Sequence, residues 1–112
     1  MAEYVTVAKV GEIPPRQGKL FQIRGYDIAV FHYDGRYFAI DDYCPHMGES
    51  LSLGELHDGC VLCSRHMWAF RLSDGVCEDV PALQAKTFPV RIVGDEIQVG
   101  LPTPENAEDA QT

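Results

Sequence analysis

Two short segments of the sequence each pair a cysteine with a histidine. They read Cys44-Pro45-His46 and Cys63-Ser64-Arg65-His66, with residues 47–62 between them. Thiolate sulfur and imidazole nitrogen are both strong ligands of transition metals. If two loops bring the segments side by side, the two cysteines and the two histidines can bind one metal centre. The spacing therefore points to metal or redox chemistry.

Two metal chemistries fit this set of four ligands. Two cysteines and two histidines can hold zinc in a tetrahedral site that stabilises the fold of a structural or adaptor module. The same residues can hold a [2Fe–2S] cluster in which histidines replace two of the four cysteines. The residues alone leave both possibilities open.

Short strands are predicted to position the two segments. The chain has 112 residues, 46% of them hydrophobic and 23% charged, as in one globular domain. No long segment has a 3.6-residue hydrophobic period, whereas β-branched and aromatic runs alternate with turn residues, so we predict an all-β fold. The predicted strands are Tyr4–Lys9, Lys19–Arg24, Tyr26–Tyr33, Arg36–Asp41, Cys60–Cys63, Ala69–Leu72, Lys86–Val93 and Glu96–Val99.

Turn residues separate these strands. Asp34-Gly35, Asp58-Gly59 and Asp74-Gly75 predict tight turns, because glycine accepts the positive φ that hairpin turns require. Residues 1–101 are expected to form one domain. Residues 102–112 are acidic and nearly free of large apolar groups, so we expect a flexible tail.

The chain resembles the Rieske ferredoxins, whose two metal-binding boxes read C-x-H and C-x-x-H at a similar separation. The resemblance extends to Phe38–Asp42 before the first box and to Leu51–Gly54, Trp68 and Phe70. It implies a Rieske fold of small antiparallel sheets packed as a sandwich. It also implies a cluster-binding subdomain of two hairpin loops over about residues 42–71.

The resemblance implies one Rieske-type [2Fe–2S] cluster as the cofactor. By this resemblance Cys44 and Cys63 bind the inner iron, and His46 and His66 bind the outer iron near the surface. In the oxidised cluster two ferric ions, two sulfides and two thiolates sum to about zero charge, whereas four thiolates leave an anionic cluster. Histidine ligation therefore raises the reduction potential.

Four positions separate this chain from the high-potential Rieske proteins of cytochrome bc complexes. Those proteins carry a disulfide between the boxes, where this chain has Glu49 and Arg65. They also place serine and tyrosine hydroxyls where this chain has Trp68 and Phe70. Without these donors the extra electron is less stabilised, so we predict a potential near the low end of the Rieske range, about −150 mV.

Low potential and a single domain make the chain similar to the ferredoxin components of bacterial ring-hydroxylating oxygenase systems. This similarity implies a carrier that takes single electrons from a flavin-dependent NAD(P)H reductase to a terminal oxygenase. The small subunit of assimilatory NAD(P)H nitrite reductase, with the large subunit as acceptor, is the alternative. No nucleophile–base pair or phosphate-binding loop is present in the sequence, so we expect a carrier that is not itself an enzyme.

Charge and targeting signals exclude other classes of function. Seventeen acidic against nine basic residues give a formal net charge of −8, which disfavours nucleic acid and anionic membranes as partners. The sequence has no apolar run long enough for a membrane span and no signal-peptide pattern, so a cytoplasmic location is expected. An acidic rim that attracts basic partners is predicted near the cluster, formed by Asp41, Asp42, Glu49 and Glu55.

The remaining cysteines, Cys60 and Cys77, are predicted to be free thiols and not ligands. Cys60 forms a C-x-x-C pair with Cys63, but Val61-Leu62 between them is an apolar strand pair without the glycine usual in a zinc knuckle. Trp68 has two open interpretations, a docking residue for a partner or a shield that covers the cluster.

Overall fold

The computed structural model of the protein describes residues 2–42, 50–63 and 68–102. Ten strands and one 3₁₀ turn, Leu51–Leu53, form in these residues, in agreement with the all-β prediction. The strands are β1 (Ala2–Lys9), β2 (Gln17–Ile23), β3 (Tyr26–Tyr33), β4 (Arg36–Asp41), β5 (Leu56–His57), β6 (Cys60–Leu62), β7 (Ala69–Arg71), β8 (Thr87–Phe88), β9 (Val90–Val93) and β10 (Glu96–Pro102).

Three antiparallel sheets form within the described ranges. The largest has the strand order β2-β3-β4-β8, and two three-stranded sheets have the orders β1-β10-β9 and β5-β6-β7. Within the four-stranded sheet β2, β3 and β4 are consecutive in the chain, whereas β8 pairs with β4 from a distant part of the chain. In the same way β1 pairs with β10 from the other end of the domain. The fold class predicted from the sequence, small antiparallel sheets, is thereby confirmed.

Strand β3 supplies side chains to two separate hydrophobic cores. Ile28 and Val30 pack in a core with residues of β1 and β10, while Ala29 and Phe31 pack in a core with residues of β5, β6 and β7. All four side chains are fully buried. Because successive side chains of a strand point to opposite faces, a run of four buried residues requires cover on both sides. The four-stranded sheet is therefore the middle layer.

Two predicted hairpin turns are confirmed. Asp34-Gly35 joins β3 to β4 with φ values of 54° and 75°, and Asp58-Gly59 joins β5 to β6 with φ values of 50° and 78°. Two consecutive positive φ angles are what a two-residue turn between twisted strands requires. The sequence did not predict β5 itself, because two residues are too few to show a hydrophobic period.

The predicted strand Lys86–Val93 is wrong, because the structure divides it between two sheets. Thr87–Phe88 pairs with β4 in the middle layer, and Val90–Val93 pairs with β10 in another sheet. Pro89 lies at the division and has no N–H to continue a ladder, while its C=O accepts a 2.8 Å hydrogen bond from the Gly100 N–H. Among the residues described, no helix is long and apolar enough to cross a membrane.

Candidate metal centre

Of the four predicted ligands, the structure describes Cys63 alone. Cys63 directly follows β6 and its residue surface is 1% exposed. The other three ligands, Cys44, His46 and His66, lie outside the described residues. What the structure shows of the candidate centre is therefore the residues that flank each box in the chain. These flanking residues form the base of the box.

A β-hairpin forms the base of the second box. Strands β6 and β7 pair in register from Cys60 opposite Arg71 to Leu62 opposite Ala69. At the next pair of residues beyond Leu62 and Ala69, the Cys63 N–H donates a 2.8 Å hydrogen bond to the Trp68 C=O. The residues between them, 64–67, thus connect two positions that are held together, as the prediction of a hairpin loop requires.

Asp42 forms the base of the first box. Its C=O accepts a 2.7 Å hydrogen bond from the Leu51 N–H, so the two ends of residues 43–50 meet. The Asp42 residue is only 7% exposed. The predicted acidic rim is wrong at this position, because Asp42 lies in the interior, whereas Glu55 is exposed as expected and Asp41 is half-buried.

The two bases share one hydrophobic core. Leu51, which follows the first box, and Cys63, which opens the second, both belong to the core that lies between the middle sheet and β5-β6-β7. Trp68 is half-buried and packs against the same core. The packing thus holds the ends of both boxes on one side of the domain.

Gly54 allows the close approach between the two segments. A side-chain Cβ built at Gly54 would lie well inside van der Waals contact with the Leu62 C=O and with Val61 Cγ2. The Leu62 N–H also donates a 2.8 Å hydrogen bond to the Glu55 C=O beside it. Any larger residue would push the segment after the 3₁₀ turn away from β6. Glycine is therefore required here by the close packing of the two segments, and not by a positive φ.

Cys60 and Cys77 are both buried, and neither forms a disulfide with another described cysteine. In the strand pairing Cys60 lies opposite Arg71, whereas Cys77 forms an isolated antiparallel β-bridge with Phe70. Because Phe70 and Arg71 are consecutive in β7, the two thiols lie on opposite faces of the sheet, where no disulfide between them can form. Burial raises the pKa of the Cys60 thiol from 9.0 to about 11, and the negative charge of Glu78 adds to the shift.

The raised pKa of Cys60 predicts low thiol reactivity. The thiolate is the reactive form, and a pKa of about 11 leaves about a hundredfold less of it at pH 8 than the ordinary value does. In a Cys77→Ala variant we expect labelling of Cys60 by a disulfide reagent to be at least that much slower than in the urea-unfolded chain. The rate should rise about tenfold per pH unit from pH 8 to 10. Labelling as fast as in the unfolded chain would contradict the assignment.

The all-β fold and the buried Cys63 after β6 fit the class of metal-binding protein that the two predicted boxes indicate. The chain matches the family described as the Rieske [2Fe-2S] domain over residues 3–97. This match spans most of the chain. The protein belongs to the Rieske [2Fe–2S] domain family.

Individual relatives agree with this assignment. The chain is 34% identical over 98 residues to the biphenyl dioxygenase ferredoxin subunit of Pseudomonas sp. strain KKS102, which covers 86% of the chain and 90% of the relative. It is 29% identical over 108 residues to the ferredoxin component of the alkene monooxygenase system of Xanthobacter autotrophicus Py2, covering 95% and 88%.

A solved structure matches the fold over nearly the full length of both chains. It is a Mycobacterium tuberculosis protein assigned as the small subunit of NADH-dependent nitrite reductase, 25% identical, with a TM-score of 0.87 and coverage of 92% of this chain and 98% of that one. The two ferredoxin relatives support a role in electron transfer.

The cofactor is a Rieske-type [2Fe–2S] cluster. Two cysteines and two histidines are the donor set that such a cluster takes, and the sequence offers this set in two boxes. Cys63 fits the inner position, since it is almost fully buried in an apolar core. Family membership decides between the two metal chemistries in favour of the cluster over zinc.

Proposed function

We propose that this protein is a low-potential Rieske ferredoxin that carries single electrons from a flavin-dependent NAD(P)H reductase to a terminal oxygenase. The observation that carries the proposal is the 34% identity to a biphenyl dioxygenase ferredoxin subunit over 90% of that relative's length. A ferredoxin component of an alkene monooxygenase system, similar over 95% of this chain, supports the same role. In this role the protein is a carrier and not an enzyme acting alone.

The proposed ligands are Cys44, His46, Cys63 and His66, within a cluster-binding subdomain of about residues 42–71. The bound cluster supplies a centre that accepts and releases one electron. The chain's part is to hold this centre at one side of a rigid scaffold. Cys63 lies in an apolar core that excludes water, and the hydrogen bond between Cys63 and Trp68 closes the second box at its base.

Its partners are proposed to be proteins that bind transiently. The formal charge of −8 favours basic docking surfaces, and Glu55 is exposed close after the first box. A cytoplasmic location belongs to the same proposal. The two buried non-ligand cysteines are free thiols, and a reducing compartment keeps such thiols free.

The second candidate is the small subunit of an NAD(P)H nitrite reductase. It is favoured by the TM-score of 0.87 to a protein assigned as such a subunit, with 98% of that chain covered. In this case the electron acceptor would be the large subunit of the enzyme. The structural similarity concerns the scaffold, which both classes share, so the oxygenase role remains the first proposal.

Capture of the partner in the native host tests the two candidates. A tagged copy is cross-linked in cells, and the captured proteins are identified by mass spectrometry. We expect a terminal oxygenase, and we expect that the dithionite-reduced protein is reoxidised when mixed anaerobically with that oxygenase. Capture of a nitrite reductase large subunit would establish the second candidate. Failure to transfer electrons to the captured oxygenase would overturn the first.

A further inference from the structure

In the described part of the chain, Asp42 is the one charged residue that is buried. A carboxylate in the interior costs free energy unless its oxygens accept hydrogen bonds. Both oxygens of Asp42 do so. Oδ2 accepts a hydrogen bond from the Ser50 hydroxyl at 2.5 Å, and Oδ1 accepts one from the Ser52 N–H at 2.7 Å.

The backbone of Asp42 is held as firmly as its side chain. Its N–H donates to the Asp27 C=O at 2.9 Å, which ties it to β3, and its C=O accepts the Leu51 N–H at 2.7 Å. The Ser50 and Ser52 hydroxyl oxygens are 2.9 Å apart and complete the network. Asp42 therefore joins the end of β4 to the first residues that follow the first box.

We propose that Asp42 is a positioning residue whose carboxylate clamps the two ends of residues 43–49. The inference rests on the proposed function, in which Cys44 and His46 within these residues bind the cluster. Hydrogen bonds to a buried carboxylate are stronger than those between neutral groups, so this network can hold the two ends of residues 43–49 together.

Release of iron from the purified holoprotein tests the clamp. The variant Asp42→Asn keeps the shape of the side chain and removes its charge. With excess ferrous-iron chelator and dithionite, we expect the visible absorbance of the cluster to decay about tenfold faster than in the wild type. The matched control Asp34→Asn changes the same charge on the β3–β4 turn, about 20 Å away along β4, and should decay at the wild-type rate.

Variants of Ser50 separate positioning from general destabilisation. Ser50→Ala removes the hydroxyl donor and should speed the decay, whereas Ser50→Thr retains the donor and should restore the slow rate. Phe88→Leu weakens the other core and should lower the urea midpoint without a comparable increase in cluster loss. The clamp is overturned if Asp42→Asn decays like the wild type, if the two Ser50 variants behave alike, or if Phe88→Leu matches Asp42→Asn.

A ligand variant keeps the two proposals apart. Cys44→Ser should contain no Rieske cluster, as judged by the EPR signal of the reduced protein. If Cys44→Ser retains a wild-type signal, the ligand assignment in the proposed function is wrong and the clamp inference falls with it. If Cys44→Ser loses the cluster but Asp42→Asn behaves like the wild type, the clamp inference alone is wrong.

Discussion

Replacing Cys63 with serine is expected to abolish the [2Fe–2S] cluster, whereas replacing Cys60 with alanine is expected to leave it intact. The two residues are three positions apart and almost equally buried, at 1% and 2% exposed. Cys63 is a proposed ligand, and a thiolate bound to iron cannot be replaced by a poorly ionised hydroxyl. Cys60 lies outside the two predicted boxes, and burial together with the charge of Glu78 raises the pKa of its thiol to about 11.

The measurement is the iron content per chain together with the visible and reduced EPR spectra of both variants. The wild type and Cys60→Ala should contain about two irons per chain and show a reduced signal with average g near 1.9. Cys63→Ser should be colourless and lack the signal. Loss of the cluster in Cys60→Ala, with retention in Cys63→Ser, would reverse the assignment of ligand and bystander.

The reduction potential of the cluster is expected to lie near the low end of the Rieske range, at about −150 mV. The physical reason is the loss of two hydroxyl donors, since Trp68 and Phe70 occupy the positions that carry serine and tyrosine in the high-potential branch. Such donors stabilise the reduced cluster, whose sulfurs carry more negative charge. An equilibrium titration followed by EPR measures the midpoint, and a value well above zero would contradict the prediction.

A hydroxyl restored at residue 70 tests the cause of the low potential. Phe70 is fully buried on β7, in the core that contains Cys63. The variant Phe70→Tyr should raise the midpoint by about 60 mV if its hydroxyl stabilises the reduced state by about 1.4 kcal/mol. Phe70→Leu alters the packing without adding a donor and should not raise it. Equal midpoints for the two variants would show that missing hydroxyls are not the cause.

Local signals in the sequence predicted most of the strands and their turns. Asp34-Gly35 and Asp58-Gly59 adopt the positive φ values that their residue types favour, so these turns depend on neighbouring residues alone. The division at Pro89 was missed, because the hydrophobic alternation continues through it. Whether the residues after a proline rejoin the same sheet depends on which strand offers a free edge, and that is a property of the assembled fold.

The sequence by itself predicted a metal site of two cysteines and two histidines, because a donor set at a given spacing is a local chemical pattern, and the family match over residues 3–97 then decided for the [2Fe–2S] cluster. The sequence also indicated free thiols at Cys60 and Cys77, whereas the strand register, which puts them on opposite faces of the sheet, excluded a disulfide between them. The four ligands remain predictions, and the variants above test two of them, Cys44 and Cys63. Only the tertiary structure showed that Asp42 is buried, since its charge had indicated an exposed rim. Its burial follows from contacts with Asp27, Ser50, Leu51 and Ser52, which approach Asp42 only once the chain has folded.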